Sequence, residues 1–158
     1  MQEAIAIIEA KALRSILRSN PDISGSEFKT VSILADFFSK FRNLRIIKNI
    51  GGNSHSDVFS CKLTGPNNVL GSEFNAVSYS NSTIDTPLEI HHSCGHNFHL
   101  ATFDQLATLL EDSKELSGNK MLLFQKAEET CNGSNLVINN DLNRLSQVSN
   151  AALITFLN

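Results

Sequence analysis

Apolar residues recur at helical spacing in three stretches of the chain, and each stretch predicts an amphipathic helix. The first runs from Glu3 to Arg18 and ends at Asn20-Pro21, because the residue before a proline is disfavoured in the helical conformation. The second follows Ser24-Gly25-Ser26-Glu27, which has the capping-box form of a hydroxyl three residues before a glutamate. The third is expected from Asn97 to Lys114, with an inward face formed by Phe98, Ala101, Leu106, Leu109 and Leu110.

Shorter apolar runs between these helices predict strands. They are expected at residues 44–50, 57–63, 69–79, 120–125 and 151–157, and the third of them has a glycine inside it. A loop is expected from Asn81 to Glu89, and a weak helix from Ser134 to Leu142. Strands that alternate with helices of this size predict an α/β fold, with a mixed central sheet flanked by helices.

The composition narrows the class of protein. The chain has 158 residues, 41% hydrophobic and 18% charged, which suits one globular domain. A net charge of −3 spread along the chain argues against a nucleic-acid surface. The sequence has neither a long apolar run, which would suggest a membrane partner, nor the basic-then-apolar order of a signal peptide. Cys61, Cys94 and Cys131 are odd in number and widely spaced, which predicts a reducing, cytoplasmic compartment rather than a disulfide framework.

The stretch HHSCGHNFH, from His91 to His99, carries the densest candidate chemistry. Cys94 and His96 open the third predicted helix and could present a sulfur and a nitrogen to one ion, a mixed ligand set that zinc accepts. Glu128-Glu129 follows the predicted strand at 120–125, at the end where α/β sheets bind ligands. One glutamate could bind a metal while the other acts as general base on a metal-activated water.

The residues by themselves also allow an ordinary surface. A short Cys-x-His without a second ligand pair is more often incidental than a metal site, and adjacent glutamates are common on solvated faces. His91, His92 and His99 are each expected more often on the surface or in a loop than as ligands. Spacing therefore leaves both a metal site and an incidental cluster open.

Three motifs together resemble a known family. HSCGHNFH, residues 92–99, resembles the HACGHDGH motif of the dinuclear metal amidohydrolases related to aminoacylase, hippurate hydrolase and the indole-acetyl-amino-acid hydrolases. LLFQKAEE, residues 122–129, is similar to their LLFQPAEE motif, and NPDIS, residues 20–24, is similar to their NPELS stretch. Because the motifs occur in the family's order and spacing, the chain is identified as a member over most of its length.

The resemblance implies a fold and a set of roles. Residues 1–158 would be the N-terminal part of a zinc-exopeptidase-like catalytic domain, without the lid or dimerisation domain. Cys94 would be the thiolate between two metal ions, His96 and Glu129 further metal ligands, and Glu128 the general base. The implied cofactor is a divalent metal, up to two ions of zinc, manganese or cobalt. The implied reaction is hydrolysis of the amide bond of N-acyl amino acids or small peptides.

Several positions depart from the family pattern. Asn75 stands where the family's RADMDALP stretch has its second aspartate, and Asn97 replaces the aspartate after the motif histidine. Lys126 replaces the proline of LLFQPAEE, and Asn158 falls where a ligand histidine is expected. An alternative function is therefore a catalytically inactive remnant or half-domain that binds or assembles, as a homo-oligomer or with a complementary half-chain. Substrate-binding residues are not identified by the sequence.

Overall fold

Three helices and seven strands make up the part of the chain that the structure, a computed structural model, describes. That part comprises residues 2–50, 54–60, 65–79, 89–113, 117–127, 135 and 150–153. The helices are α1 (Gln2–Ser19), α2 (Phe28–Phe38) and α3 (His96–Asp112). The strands are β1 (Leu44–Ile50), β2 (Ser54–Ser60), β3 (Asn68–Glu73), β4 (Val77–Tyr79), β5 (Glu89–His91), β6 (Asn119–Gln125) and β7 (Asn150–Leu153).

Five of the strands form one mixed sheet in the order β1-β2-β6-β3-β7. The pairs β1–β2 and β2–β6 are antiparallel, whereas β6–β3 and β3–β7 are parallel. The strands β4 and β5 form a separate antiparallel pair. Helix α1 packs against α3, α3 packs against β3, and α2 packs against β2. The predicted fold class, a mixed α/β sheet flanked by helices, is confirmed.

The core lies where the helices meet the middle of the sheet. Phe124 of β6 is fully buried between two aromatic neighbours, with ring centroids 5.1 Å from Phe38 of α2 and 5.5 Å from Phe103 of α3, both edge-on. Fully burying an aromatic or aliphatic side chain of this kind contributes about 1.5–3 kcal/mol. The same cluster includes Leu13, Leu17, Leu34, Phe74, Leu100, Ala107 and Leu122. None of the helices in the described ranges is long and apolar enough to cross a membrane.

Most predicted elements within the described residues agree with the structure, and one of them is shifted along the chain. The first and third helices and the strands at 44–50 and 120–125 begin and end within two residues of their expected limits, and the second helix begins directly after Glu27, as expected. The strand expected at 57–63 is shifted to Ser54–Ser60. The expected helix at 134–142 lies outside the described residues except for Asn135, as does the loop at 81–89 except for Glu89, which begins β5. Of the last apolar run, only residues up to Leu153 are described.

The prediction of a single strand from Val69 to Tyr79 is wrong, because the strand is interrupted: β3 ends at Glu73 and β4 begins at Val77. Phe74 leaves the strand to enter the core and is fully buried. Ala76 instead pairs with the segment before α2, where its amide donates to the Asp22 carbonyl at 2.7 Å. This interruption places Asn75 in the interior of the protein, just beyond the end of β3.

The capping box expected before α2 is also wrong. Glu27 is the N-cap residue but makes no side-chain bond to the helix, and Ser24 Oγ has no hydrogen-bond partner among the described residues. Asp22 provides the acceptor for the first turn of α2 instead, since its Oδ2 accepts a hydrogen bond from the Thr30 amide at 2.8 Å. The Glu27 carboxylate is fully buried and accepts from the amide of Ala127 at 2.8 Å, one hundred positions away.

The inward face of α3 agrees with the expected one only in part, since Ala101 is buried and Leu106 and Leu110 pack against the core. Phe98 and Leu109 are 48% and 67% exposed, whereas the buried face carries His96, His99, Leu100, Phe103 and Asp104. Four buried residues of α3 are polar, and three of them, His96, His99 and Asp104, have interactions inside the protein, so the buried face is not purely apolar.

Candidate metal centre

The candidate site lies where β3 and β6 end side by side. These strands are parallel and Glu73 is paired with Gln125, so their carboxyl ends meet at one edge of the sheet. The turn before α3 reaches the same edge. Gly95, in that turn, has a φ of 85°, a left-handed conformation that glycine adopts without a steric penalty. The edge formed by strand carboxyl ends is where open α/β sheets bind ligands.

His96 is held in a defined orientation by the backbone of Asn75, just after β3. Its Nδ1 lies 2.9 Å from the backbone carbonyl oxygen of Asn75, and the residue is 6% exposed. A carbonyl can only accept, so Nδ1 is the donor and Nε2 is the nitrogen that can bind an ion. Metal-binding histidines are commonly oriented by such a bond from the second ring nitrogen. The geometry of His96 therefore fits a metal ligand.

Cys94 lies against the same carbonyl, with Sγ 3.4 Å from the Asn75 oxygen. Burial raises the pKa of the Cys94 thiol, but hydrogen bonds with His92 and His96 and the charge of His96 outweigh it and lower the pKa to about 6. Burial lowers the pKa of His96, whereas its bonds with Cys94 and the Asn75 carbonyl raise the pKa to about 9. At neutral pH the metal-free pair is therefore a thiolate beside an imidazolium. Thiolate is the form of cysteine that binds metals.

His99 was expected on the surface or in a loop, and that expectation is wrong. It lies one turn after His96 on α3, is 3% exposed, and has its ring centroid 5.8 Å from that of His96. Its Nδ1 is 3.8 Å from the Glu73 Oε2 at the end of β3. Burial and the charge on His96 lower the pKa of His99. The three-residue spacing from His96 was the sequence signal for this arrangement.

The other two histidines of the cluster lie nearer the surface. His91 has a side chain that is 60% exposed and lies 3.2 Å from a carboxylate oxygen of Glu89. His92 is half-buried beside Cys94. Neither has the carbonyl-anchored geometry of His96 in the described part of the chain.

Asn75 is a buried polar residue that adjoins both proposed ligands. Its side chain is fully buried, and neither Oδ1 nor Nδ2 has a hydrogen-bond partner within the described ranges. An unsatisfied buried polar group costs about 1–3 kcal/mol, so native structures rarely leave both atoms unpaired. The unpaired side-chain amide of Asn75 lies next to two potential metal ligands, Cys94 and His96. It is consistent with a metal centre that contains further groups besides these residues.

The described residues hold only part of the predicted ligand set. Glu128 and Glu129 lie outside them, as does Asn158. Within the described ranges, no group of three or more histidine, cysteine or acidic side chains is placed to hold an ion. Cys94 and His96 thus supply two donors of the type that zinc binds. Ala127, the last described residue before the two glutamates in the sequence, has a left-handed φ of 55°, and its amide donates to the Glu27 carboxylate.

Known proteins share this architecture. The Bacillus subtilis YxeP protein, described as a dinuclear metal binding peptidase from the M20 family, matches with a TM-score of 0.84 and 21% identity over 98% of this chain and 44% of its own. This chain has the M20 peptidase fold. The aminobenzoyl-glutamate utilization protein of Klebsiella pneumoniae matches with a TM-score of 0.78 and 15% identity, over 98% of this chain and 45% of its own.

The sequence comparison points to the same class. An uncharacterized hydrolase of Staphylococcus epidermidis is 30% identical over 139 residues, which covers 79% of this chain and 34% of the relative. No protein-family model matches the chain. The resemblance to dinuclear metal hydrolases that the motifs carry is confirmed. The chain spans about a third of the length of the curated relatives it matches, 34% in the case of this hydrolase.

Proposed function

We propose that residues 1–158 form the N-terminal part of a metal-dependent amidohydrolase catalytic domain that cleaves the amide bond of N-acyl amino acids or small peptides. The observation that supports this most is the pair formed by Cys94 and His96. Both contact one backbone carbonyl, that of Asn75, and the bond from Nδ1 to this carbonyl orients the imidazole. The lowered pKa of Cys94 keeps its sulfur in the ligand form at neutral pH.

In this proposal Cys94, His96 and Glu129 hold the metal and Glu128 acts as the general base. When bound, the metal would polarise the substrate carbonyl and lower the pKa of a water molecule. Glu128 would take a proton from that water and return it to the leaving amine. Up to two ions of zinc, manganese or cobalt are proposed, and the thiolate and imidazole donors suit zinc best. A reducing, cytoplasmic compartment would keep the Cys94 thiolate intact.

The second candidate function is an inactive module that binds or assembles without catalysis. Lys126 favours it, because this cation is largely buried and stands two positions before the proposed base. A nearby cation favours the charged form of a carboxylate and so makes it a weaker base. Among the described strands β7 lies at one edge of the sheet, which also favours it, since an edge strand can pair with a second copy or a complementary half-chain.

The metal content of the purified chain, measured by elemental analysis, separates the two candidates. The amidohydrolase proposal expects at least one ion per chain, lost in Cys94→Ser and in His96→Ala but kept in the control Cys61→Ser. Glu128→Ala should then abolish hydrolysis of a panel of N-acetyl amino acids while the ion is retained. A folded protein that takes up no zinc, manganese or cobalt would contradict the proposal and favour the assembly module.

A further inference from the structure

A basic cleft adjoins the candidate metal centre and is not used by the chemistry proposed above. Its volume is about 280 Å³, and it is lined by Arg14, Arg18, His91, His92, Ser93 and Asn97. Two of these residues flank the proposed ligands directly in the chain, since Ser93 precedes Cys94 and Asn97 follows His96. The volume is close to the lower end of the range for small-molecule sites, roughly 300–1,000 Å³, which suits a small organic ligand better than an isolated ion.

The two arginines carry the charge of the cleft. Arg14 and Arg18 are one helical turn apart on α1, and both are exposed. Like charges at this spacing weaken a helix slightly, so the pair is not explained by helix stability. In the part of the chain that the structure describes, neither guanidinium forms an ion pair with a carboxylate. Two neighbouring cations that have no counterion among the described residues favour binding of an anion.

The other wall of the cleft also suits an anion. Asn97 lies in the first turn of α3, which contains no acidic residue, and the N-terminus of a helix carries partial positive charge. The Ser93 hydroxyl is fixed by the Tyr79 hydroxyl at 2.9 Å. Among the described residues, Glu89 has its Oε2 3.2 Å from Nε2 of the cleft residue His91. Arg14 is steadied by the Phe98 ring, whose centroid is 5.8 Å from its guanidinium carbon.

We propose that this arginine cleft binds the free carboxylate of a small organic acid, and that in the proposed amidohydrolase it holds the carboxylate of an N-acyl amino acid beside the metal centre. The second clause rests on the proposed function, whereas binding of the carboxylate does not. A planar guanidinium donates two parallel hydrogen bonds to a carboxylate, which makes arginine the side chain best suited to this group. The cleft is thus a specificity site for acids over their neutral amides.

Binding to the metal-free full chain tests the cleft independently of catalysis. The probes are N-acetylalanine and its neutral counterpart N-acetylalaninamide, with affinity measured by ligand-observed NMR or calorimetry after treatment with a chelator. The acid should bind and the amide should not. Arg14→Gln and Arg18→Gln should each weaken binding of the acid about ten-fold or more, since a hydrogen bond to a charged group contributes about 1.5–3 kcal/mol. The matched control Arg42→Gln, an exposed arginine outside the cleft, should bind the acid normally.

Three results would overturn the cleft proposal. They are equal binding of the acid and the amide, unchanged binding in both arginine variants when these are folded by circular dichroism, and inorganic phosphate binding as tightly as the acid. Cys94→Ser separates this proposal from the metal proposal. That variant should lose metal and keep the carboxylate affinity, so a failure of the metal centre would leave the result for the cleft unaffected.

Discussion

Replacing Lys40 by methionine should destabilise the protein by about 2–3 kcal/mol at neutral pH, because it would leave a buried carboxylate without a counterion. Lys40 Nζ lies 2.9 Å from Asp104 Oδ1 on α3 and 2.7 Å from Glu9 Oε2 on α1. The Asp104 side chain is fully buried, whereas that of Lys40 is 32% exposed. The lysine therefore connects α1 and α3 from the end of α2 and neutralises a charge in the interior.

The magnitude follows from the burial of the two partners. Removing one partner of a buried ion pair costs about 3–5 kcal/mol, because the remaining charge is uncompensated. Since Lys40 is one third exposed, water screens the pair, and the expected loss falls below that range. Methionine preserves most of the apolar stem. It loses the cation–π contacts of Nζ, which lies 4.3 Å and 4.9 Å from the ring centroids of Phe37 and Phe41.

The loss should depend on pH with a defined sign. Burial raises the pKa of Asp104, and Lys40 opposes part of that rise. For a carboxyl whose folded pKa is raised, the contribution to stability is present below the unfolded pKa and is lost as pH rises through the folded pKa. Without Lys40 the folded pKa rises further. Lys40→Met should therefore cost least in acid, where Asp104 is protonated, and most at neutral pH.

Urea unfolding of the wild type and Lys40→Met at pH 4 and pH 7 measures this difference. Lys29→Met is the matched control, because Lys29 is an exposed lysine of α2 and should cost little at either pH. In an Asp104→Asn background, Lys40→Met should cost less than in the wild type, since no buried charge remains. Equal losses at the two pH values, or a loss in Lys29→Met as large as in Lys40→Met, would refute the electrostatic explanation.

Two further changes test the contacts around the candidate site. Glu27→Ala should cost about 1–3 kcal/mol, because the buried amide of Ala127 loses its acceptor; Glu27→Gln, which keeps an acceptor oxygen, should lose less in thermal unfolding, and equal losses would contradict this. In metal-free protein, alkylation of Cys94 by iodoacetamide should rise with pH around a midpoint near 6, and His96→Ala should move that midpoint upward. Peptide mass spectrometry measures the rate, and an unmoved midpoint would exclude His96 as a cause.

The elements were predictable from the sequence where apolar spacing is regular, and less so where polar residues are buried. The helix of residues 28–38 follows from the helical spacing of its apolar residues, and the strand of residues 119–125 from a short apolar run at 120–125. The buried face of α3 was predicted only in part, because the expected face was drawn from apolar residues and did not include His99 or Asp104. Each is buried beside a partner from a distant part of the chain, Glu73 and Lys40 respectively. Such long-range pairs leave no local pattern in the sequence.

The Glu27 contact shows the same limit. Ser24 and Glu27 have the spacing of a capping box, and nothing in the local sequence distinguishes that use from another. In the structure Asp22 accepts the hydrogen bond from the Thr30 amide of α2. The Glu27 carboxylate instead accepts a hydrogen bond from the amide of Ala127, just after β6. The acid therefore connects the start of α2 to the segment that leads into Glu128. A capping motif and a tertiary contact compete for the same side chain, and tertiary packing decides.

The effect of a departure from the family pattern at the candidate site can also be judged only from the structure. Asn75 stands where the resembling family has an aspartate, and the sequence suggested that this substitution weakens the site. In the structure, however, the group that contacts Cys94 and His96 is the backbone carbonyl of residue 75, which every residue type provides. The substitution removes a negative charge from the interior but not the acceptor that orients His96. Loss of the aspartate and retention of the ligand geometry are therefore compatible, and the side chain of Asn75 by itself does not argue that metal binding has been lost.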